Sequence, residues 1–241
     1  MSNTFMKETI KRIITESRFL PQPSSVLQDI GYILNFLSVI MRGLTYQQFR
    51  KIVDNPGFVI KYRFVKTSSP INIQIGKFGG HGKYEHKDGT VYIDLEWMRW
   101  APKEDLRSTL VHEITHALSK RIPNVSEKYF AQYDEKLALA QQVMNHKLPR
   151  KEAYPYYQDP EEFDARGAEI ATYLLERQCT RENVAILDTW IRGGGMIRKT
   201  PSFLIDWRKT IAIWARSLPL YKRFLSRMFD LIEQMKVKLN L

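Results

Sequence analysis

Two histidines four positions apart, His112-Glu113-Ile114-Thr115-His116, constrain this chain more than any other feature of its 241 residues. On an α-helix, positions i and i+4 lie on one face, so both imidazoles can reach a single metal ion only if this segment is helical. Neutral imidazole suits Zn²⁺, and Glu113 lies where it can take a proton from a water at that ion. The flanks agree. Leu106, Leu110, Ile114, Ala117 and Leu118 supply an apolar helical face, and Ala101-Pro102-Lys103-Glu104-Asp105 places proline near the first turn. The spacing predicts a helix over 102–120.

Around that helix the pattern changes twice. Residues 4–19, 26–42 and 45–53 read as helices, broken by Pro21-Gln-Pro-Ser-Ser25 and Asn55-Pro56-Gly57. Phe58–Val65 and Ile71–Ile75 then alternate apolar and polar residues, as half-buried strands do. Lys83–His86 and Thr90–Leu95 follow, separated by the hairpin signal Lys87-Asp88-Gly89. Beyond Pro102 the pattern is helical again: 102–120, 126–145, 160–178, 181–192, 203–216 and 219–238. Helices, then a block of strands, then helices make an α+β fold rather than alternating β/α units. With no Gly- or Ser-rich linker, the expectation is a single domain over 1–241, with a basic helical extension at 1–57, a core at 58–178 and a second basic helical extension at 179–241.

Catalytic zinc needs a third protein ligand and an open position. The metzincin pattern H-E-x-x-H-x-x-G-x-x-H is absent, because Ser119 and Ile122 stand where glycine and histidine are required. The chain offers instead Asp159-Pro-Glu-Glu-Phe-Asp-Ala-Arg-Gly-Ala-Glu169 at the start of a strong helix. There Glu162, Ala165, Arg166 and Glu169 share one face, and Ala165 and Ala168 are small enough for close helix packing. Glu161, Asp164, Glu169 and His146 are the other candidate ligands, and Asp164 or Glu169 could equally hydrogen-bond a ligating imidazole.

With these two motifs the chain resembles the zincin metallopeptidases of gluzincin type, in which a downstream helix delivers a glutamate. Glu162-Phe-Asp-Ala165 is similar to the E-x-x-A signature of compact gluzincin-like peptidases, including ImmA/IrrE-type regulators and small phage-encoded zincins. The resemblance covers residues 70–178. It implies a zincin-like core with His112, His116 and Glu162 as zinc ligands and Glu113 as general base. It also implies a small, mostly antiparallel sheet over the active helix, whose edge strand holds a peptide substrate extended; Val91–Leu95 matches that position. A donor for the developing oxyanion is then needed, and of Tyr154, Tyr156 and Tyr157 the last is nearest the ligand helix. A viral or phage setting follows from the same resemblance. His81 and His86 could line the cleft or be ordinary polar loop residues.

The net charge of +11 is uneven. Residues 177–241 hold 13 Lys and Arg against 5 Asp and Glu, residues 1–66 hold 10 against 4, and the middle holds 14 against 17. Such arms can solvate helix faces or dock on nucleic acid or an acidic partner. The latter is the rival reading: a basic binding protein whose metal is structural or vestigial. One cysteine, Cys179, rules out an internal disulfide. The opening residues, MSNTFMKETIKRII, lack an apolar secretory stretch, and no segment approaches the roughly 20 apolar residues of a membrane span. The expectation is a cytoplasmic protein, or one associated with a virion, that does not engage a membrane. Gly193-Gly-Gly195 lacks the ending of a phosphate-binding loop and reads as a helix stop.

Overall fold

A computed structural model of the chain describes residues 30–31, 34–35, 45–55, 59–64, 71–119, 127–144, 147 and 149–241. The expected helix over 4–19 and candidate ligand His146 lie outside these residues, as does most of the expected helix over 26–42. The described chain is α+β, mostly helical with one small sheet. It forms two compact units, one ending at Gln142 and one running from Val143 to Leu241.

The first unit is built on four strands: β1 (Ile60–Phe64), β2 (Ile71–Gly76), β3 (Gly82–Glu85) and β4 (Thr90–Asp94), in the order β1-β2-β4-β3. Two of the three pairings are antiparallel, and β2 with β4 is parallel, with Ile73 beside Val91. Ile71, Ile73 and Ile75 are buried while Asn72 between them is exposed, the period of two that marked the strand in sequence. Helices α1 (Tyr46–Val53), α2 (Leu95–Trp100), α3 (Lys103–Ser119) and α4 (Glu127–Met144) complete the order. Helix α3 packs on β3 and β4, and α2 on β2 and β4.

Two expectations are corrected here. Val91–Leu95 does not form an edge strand: β4 lies between β2 and β3, and β3 is the edge beside α3. The strand also stops at Asp94, not Leu95. Asp94 caps α2, its Oδ1 accepting from Trp97 N at 2.8 Å, while Oδ2 accepts from Phe78 N and Gly79 N at 3.0 and 2.8 Å. One buried carboxylate thereby ends the strand, starts a helix and ties down the glycine loop before β3.

The second unit holds a short helix α5 (Tyr154–Tyr157), then α6 (Pro160–Arg177), α7 (Arg181–Arg192), α8 (Arg208–Trp214) and α9 (Leu218–Lys238). The single helix expected over 203–216 is divided: Pro201 accepts from Leu204 N, and Ser202–Trp207 forms a 3₁₀ segment before α8. The core joins Phe163, Ile170, Ala171 and Leu174 of α6 to Leu187, Trp190, Trp214, Phe224, Met228, Leu231 and Ile232. Phe163 meets Trp214 edge-on at 4.7 Å. Asp164 accepts from Arg223 and Arg227, pinning α6 to α9. Among the described residues no helix is long and apolar enough to cross a membrane.

Because Phe224 is wholly buried in this core, Phe224→Ala should cost about 3–5 kcal/mol of stability. Ile186→Ala, at a side chain 42% exposed, should change it by no more than about 0.5 kcal/mol. Chemical denaturation followed by circular dichroism measures both, and equal midpoints for the two variants would contradict the packing.

Candidate metal centre

Helix α3 reaches its functional residues already buried. Leu110 to Ile114 are buried without interruption, as are His116 and Ala117, so the second half of the helix is enclosed on more than its apolar stripe. The sequence placed both imidazoles on one face, and they are there. Their Nε2 atoms lie 3.0 Å apart, with the rings edge to face at 77°. Thr115 between them sends its hydroxyl back to Val111 O at 2.7 Å, so its polar group is satisfied within the helix.

Glu113 is buried beneath the edge strand. Gly82 opens β3 at the point where that strand crosses α3. A Cβ at residue 82 would lie 2.7 Å from Thr109 Cγ2, 3.0 Å from Ile93 Cδ1 and 3.5 Å from Glu113 Cγ. Glycine here is therefore a close-approach residue, needed to bring the edge strand down onto the helix. His81, just before it, stacks on Trp97 with centroids 4.7 Å apart, and His86 is buried against Tyr84. Neither is in the candidate ligand group.

In the second unit, Asp159 caps α6 by accepting from Glu161 N at 3.1 Å, and Pro160 occupies the first turn. Glu162 follows with no exposed surface. Arg166, one turn on, donates from Nε to Glu162 Oε1 at 2.7 Å and from Nη1 to Glu169 Oε2 at 3.2 Å. Burial pulls the Arg166 guanidinium down, but the carboxylates of Glu169 and Glu162 outweigh it and hold Arg166 well above its ordinary value. Glu169 is thus an ion-pair partner of Arg166, and Asp164 is engaged by Arg223 and Arg227.

Tyr157 ends α5, with its carbonyl accepting from Trp214 Nε1 at 2.8 Å. Burial raises its phenol, Arg166 opposes that and Glu162 adds to it, so the hydroxyl stays protonated at neutral pH. Tyr156 is buried edge-on to Tyr157, and Tyr154 lies under Arg216.

Among the described residues, His112 and His116 of the first unit and Glu162 of the second are each buried, and together they make a His-His-Glu set that could hold a metal ion. The donor set fits zinc. With Zn–N bonds of about 2.0–2.1 Å, two ligands of a tetrahedral ion sit about 3.3 Å apart, close to the separation of the two imidazole nitrogens. Among the described residues the set is two imidazoles and one carboxylate, and a set of three such ligands leaves a fourth position on a tetrahedral ion.

Sequence reasoning missed two parts of this arrangement. Arg166 was visible on the face of Glu162, yet its role as hydrogen-bond donor to that carboxylate needed the side-chain geometry. The edge position of β3 was hidden because the hairpin signal fixes which strands pair but not which one lies outside. No family model matches the chain, and neither does any curated protein or solved structure with which it was compared.

Two outcomes follow. Gly82→Ala should lower stability by about 1–3 kcal/mol through overpacking against Thr109; wild-type stability in this variant would mean that β3 does not press on α3. For Tyr157, a folded pKa above the unfolded value of about 10 gives stability that is complete below that pH. It is lost as pH rises through the folded value, so Tyr157→Phe should flatten the decline of stability above pH 10 in alkaline unfolding curves.

Proposed function

We propose that this chain is a zinc-dependent metallopeptidase of gluzincin type that hydrolyses peptide bonds within protein substrates. The observation that carries this reading is the pair of buried imidazoles on α3, with Nε2 atoms 3.0 Å apart and Glu113 buried beside His112 in the chain, together with the wholly buried Glu162 of α6. His112, His116 and Glu162 would hold the ion.

When bound, zinc supplies a Lewis acid that polarises the scissile carbonyl and makes water more acidic. Glu113 accepts the proton of the attacking water and later delivers it to the leaving amine. The Tyr157 hydroxyl donates a hydrogen bond to the carbonyl oxygen as negative charge grows there. The edge of β3, which has no further strand beside it among the described residues and is pressed against α3 at Gly82, pairs with an extended substrate through main-chain hydrogen bonds. Recognition of that kind tolerates many sequences and suits an endopeptidase.

The test is to incubate an unfolded protein mixture with the zinc-loaded chain and count new amino termini by mass spectrometry. Wild type should generate them, and chelation should stop it. Glu113→Gln should lose about 10²–10⁴-fold in rate while holding as much zinc as wild type. Undiminished cleavage by Glu113→Gln, or none by wild type, would contradict the reading.

A further inference from the structure

We propose that Arg166 is a positioning residue for the third metal ligand: it fixes the Glu162 carboxylate for binding through a single oxygen, and Glu169 both anchors Arg166 and offsets its charge. This rests on the metallopeptidase reading above.

The three side chains lie on one face of one helix, at i, i+4 and i+7. Arg166 Nε meets Glu162 Oε1 at 2.7 Å and Arg166 Nη1 meets Glu169 Oε2 at 3.2 Å. The helix face cannot turn away. Asp159 caps its start, and Phe163, Ile170, Ala171 and Leu174 on its other side are buried in the core. A glutamate brought to a metal must otherwise give up rotamer freedom, and here the arginine has already restrained it.

The geometry also selects how Glu162 binds. The guanidinium already draws on the charge of Oε1, which leaves Oε2 the more basic oxygen and favours binding through that single atom. Single-oxygen binding keeps the donor set open for water and substrate. Only arginine can do this as drawn, because its planar fork reaches two carboxylates at once, whereas lysine presents a single point charge.

A fixed cation beside a site for a dication is by itself a liability. Glu169 removes it. Glu162, Arg166 and Glu169 together carry one net negative charge, so an arriving Zn²⁺ meets attraction rather than an uncompensated guanidinium. Glu169 is 7% exposed and Glu162 not at all, so solvent screens these charges little.

The experiment measures zinc affinity by competition with a chromophoric chelator, and the visible spectrum of the Co²⁺-substituted protein, for the full chain. Wild type is compared with Glu162→Ala, Arg166→Ala, Arg166→Lys, Glu169→Gln and the Arg166→Ala/Glu169→Gln double variant. Thermal unfolding of each metal-free form reports whether the fold is intact. Arg166→Ala should bind zinc about 10–100-fold more weakly, with an altered Co²⁺ spectrum, and Arg166→Lys should restore only part of either. Glu169→Gln should weaken binding in the presence of Arg166 but add little once Arg166 is gone, a coupling the double variant reads directly. If Arg166→Ala fails to fold, Arg166→Lys and Glu169→Gln carry the same two readouts. Folded Arg166 and Glu169 variants with wild-type affinity and spectrum would overturn the proposal, even where Glu162→Ala abolishes binding. Failure of wild type to bind zinc at all would instead remove the metallopeptidase reading on which it rests.

Discussion

A carboxylate with no exposed surface sets the terms for the C-terminal unit. Burying Glu162 as an anion is costly unless charge and hydrogen bonds compensate it. Arg166 supplies both, and Glu169 in turn supports Arg166. The surroundings keep this trio in register. Asp159 starts the helix one turn earlier, Phe163 beside Glu162 anchors the opposite face against Trp214, and the indole of Trp214 holds the Tyr157 carbonyl. The apolar core and the polar face are thus two sides of one helix.

In the first unit the corresponding constraint is close approach. Helix α3 carries its two histidines and Glu113 within a buried stretch, and the edge strand can reach Glu113 only because residue 82 has no side chain. Asp94 provides the remaining rigidity by tying the glycine loop to the start of α2. Part of the basic excess in residues 177–241 is consumed by the fold. Arg223 and Arg227 bind Asp164, Arg192 pairs with Asp188, and Lys236 with Glu233. A partner drawn by charge would have to be attracted by the remainder, such as the exposed Arg198, Lys199, Arg208 and Lys209.

Much of this could be seen in the sequence, for reasons that differ from place to place. Helix α3 was legible because metal-ligand spacing and apolar periodicity coincide there, and the end of α7 because Gly193 begins a glycine run that stops it. The face uniting Glu162, Arg166 and Glu169 followed from helical geometry alone. Strand order did not, since local alternation says that a strand exists and nothing of its neighbours. Asp94 was hidden because a capping aspartate looks like any other polar residue of a strand until its three backbone donors are in place. The divided helix at 202–214 escaped for a related reason: the apolar pattern runs through it, and only the 3₁₀ bonding after Pro201 distinguishes its first part.

A His-His-Glu centre is tested most directly by counting bound metal. Elemental mass spectrometry of the purified chain, after zinc is supplied and excess removed, should find close to one zinc per wild-type molecule. Glu162→Ala should lose that zinc or hold it far more weakly, as should His112→Ala. Stoichiometric zinc in both variants would place the ligands elsewhere, and no zinc in wild type would contradict a metal centre at these three residues.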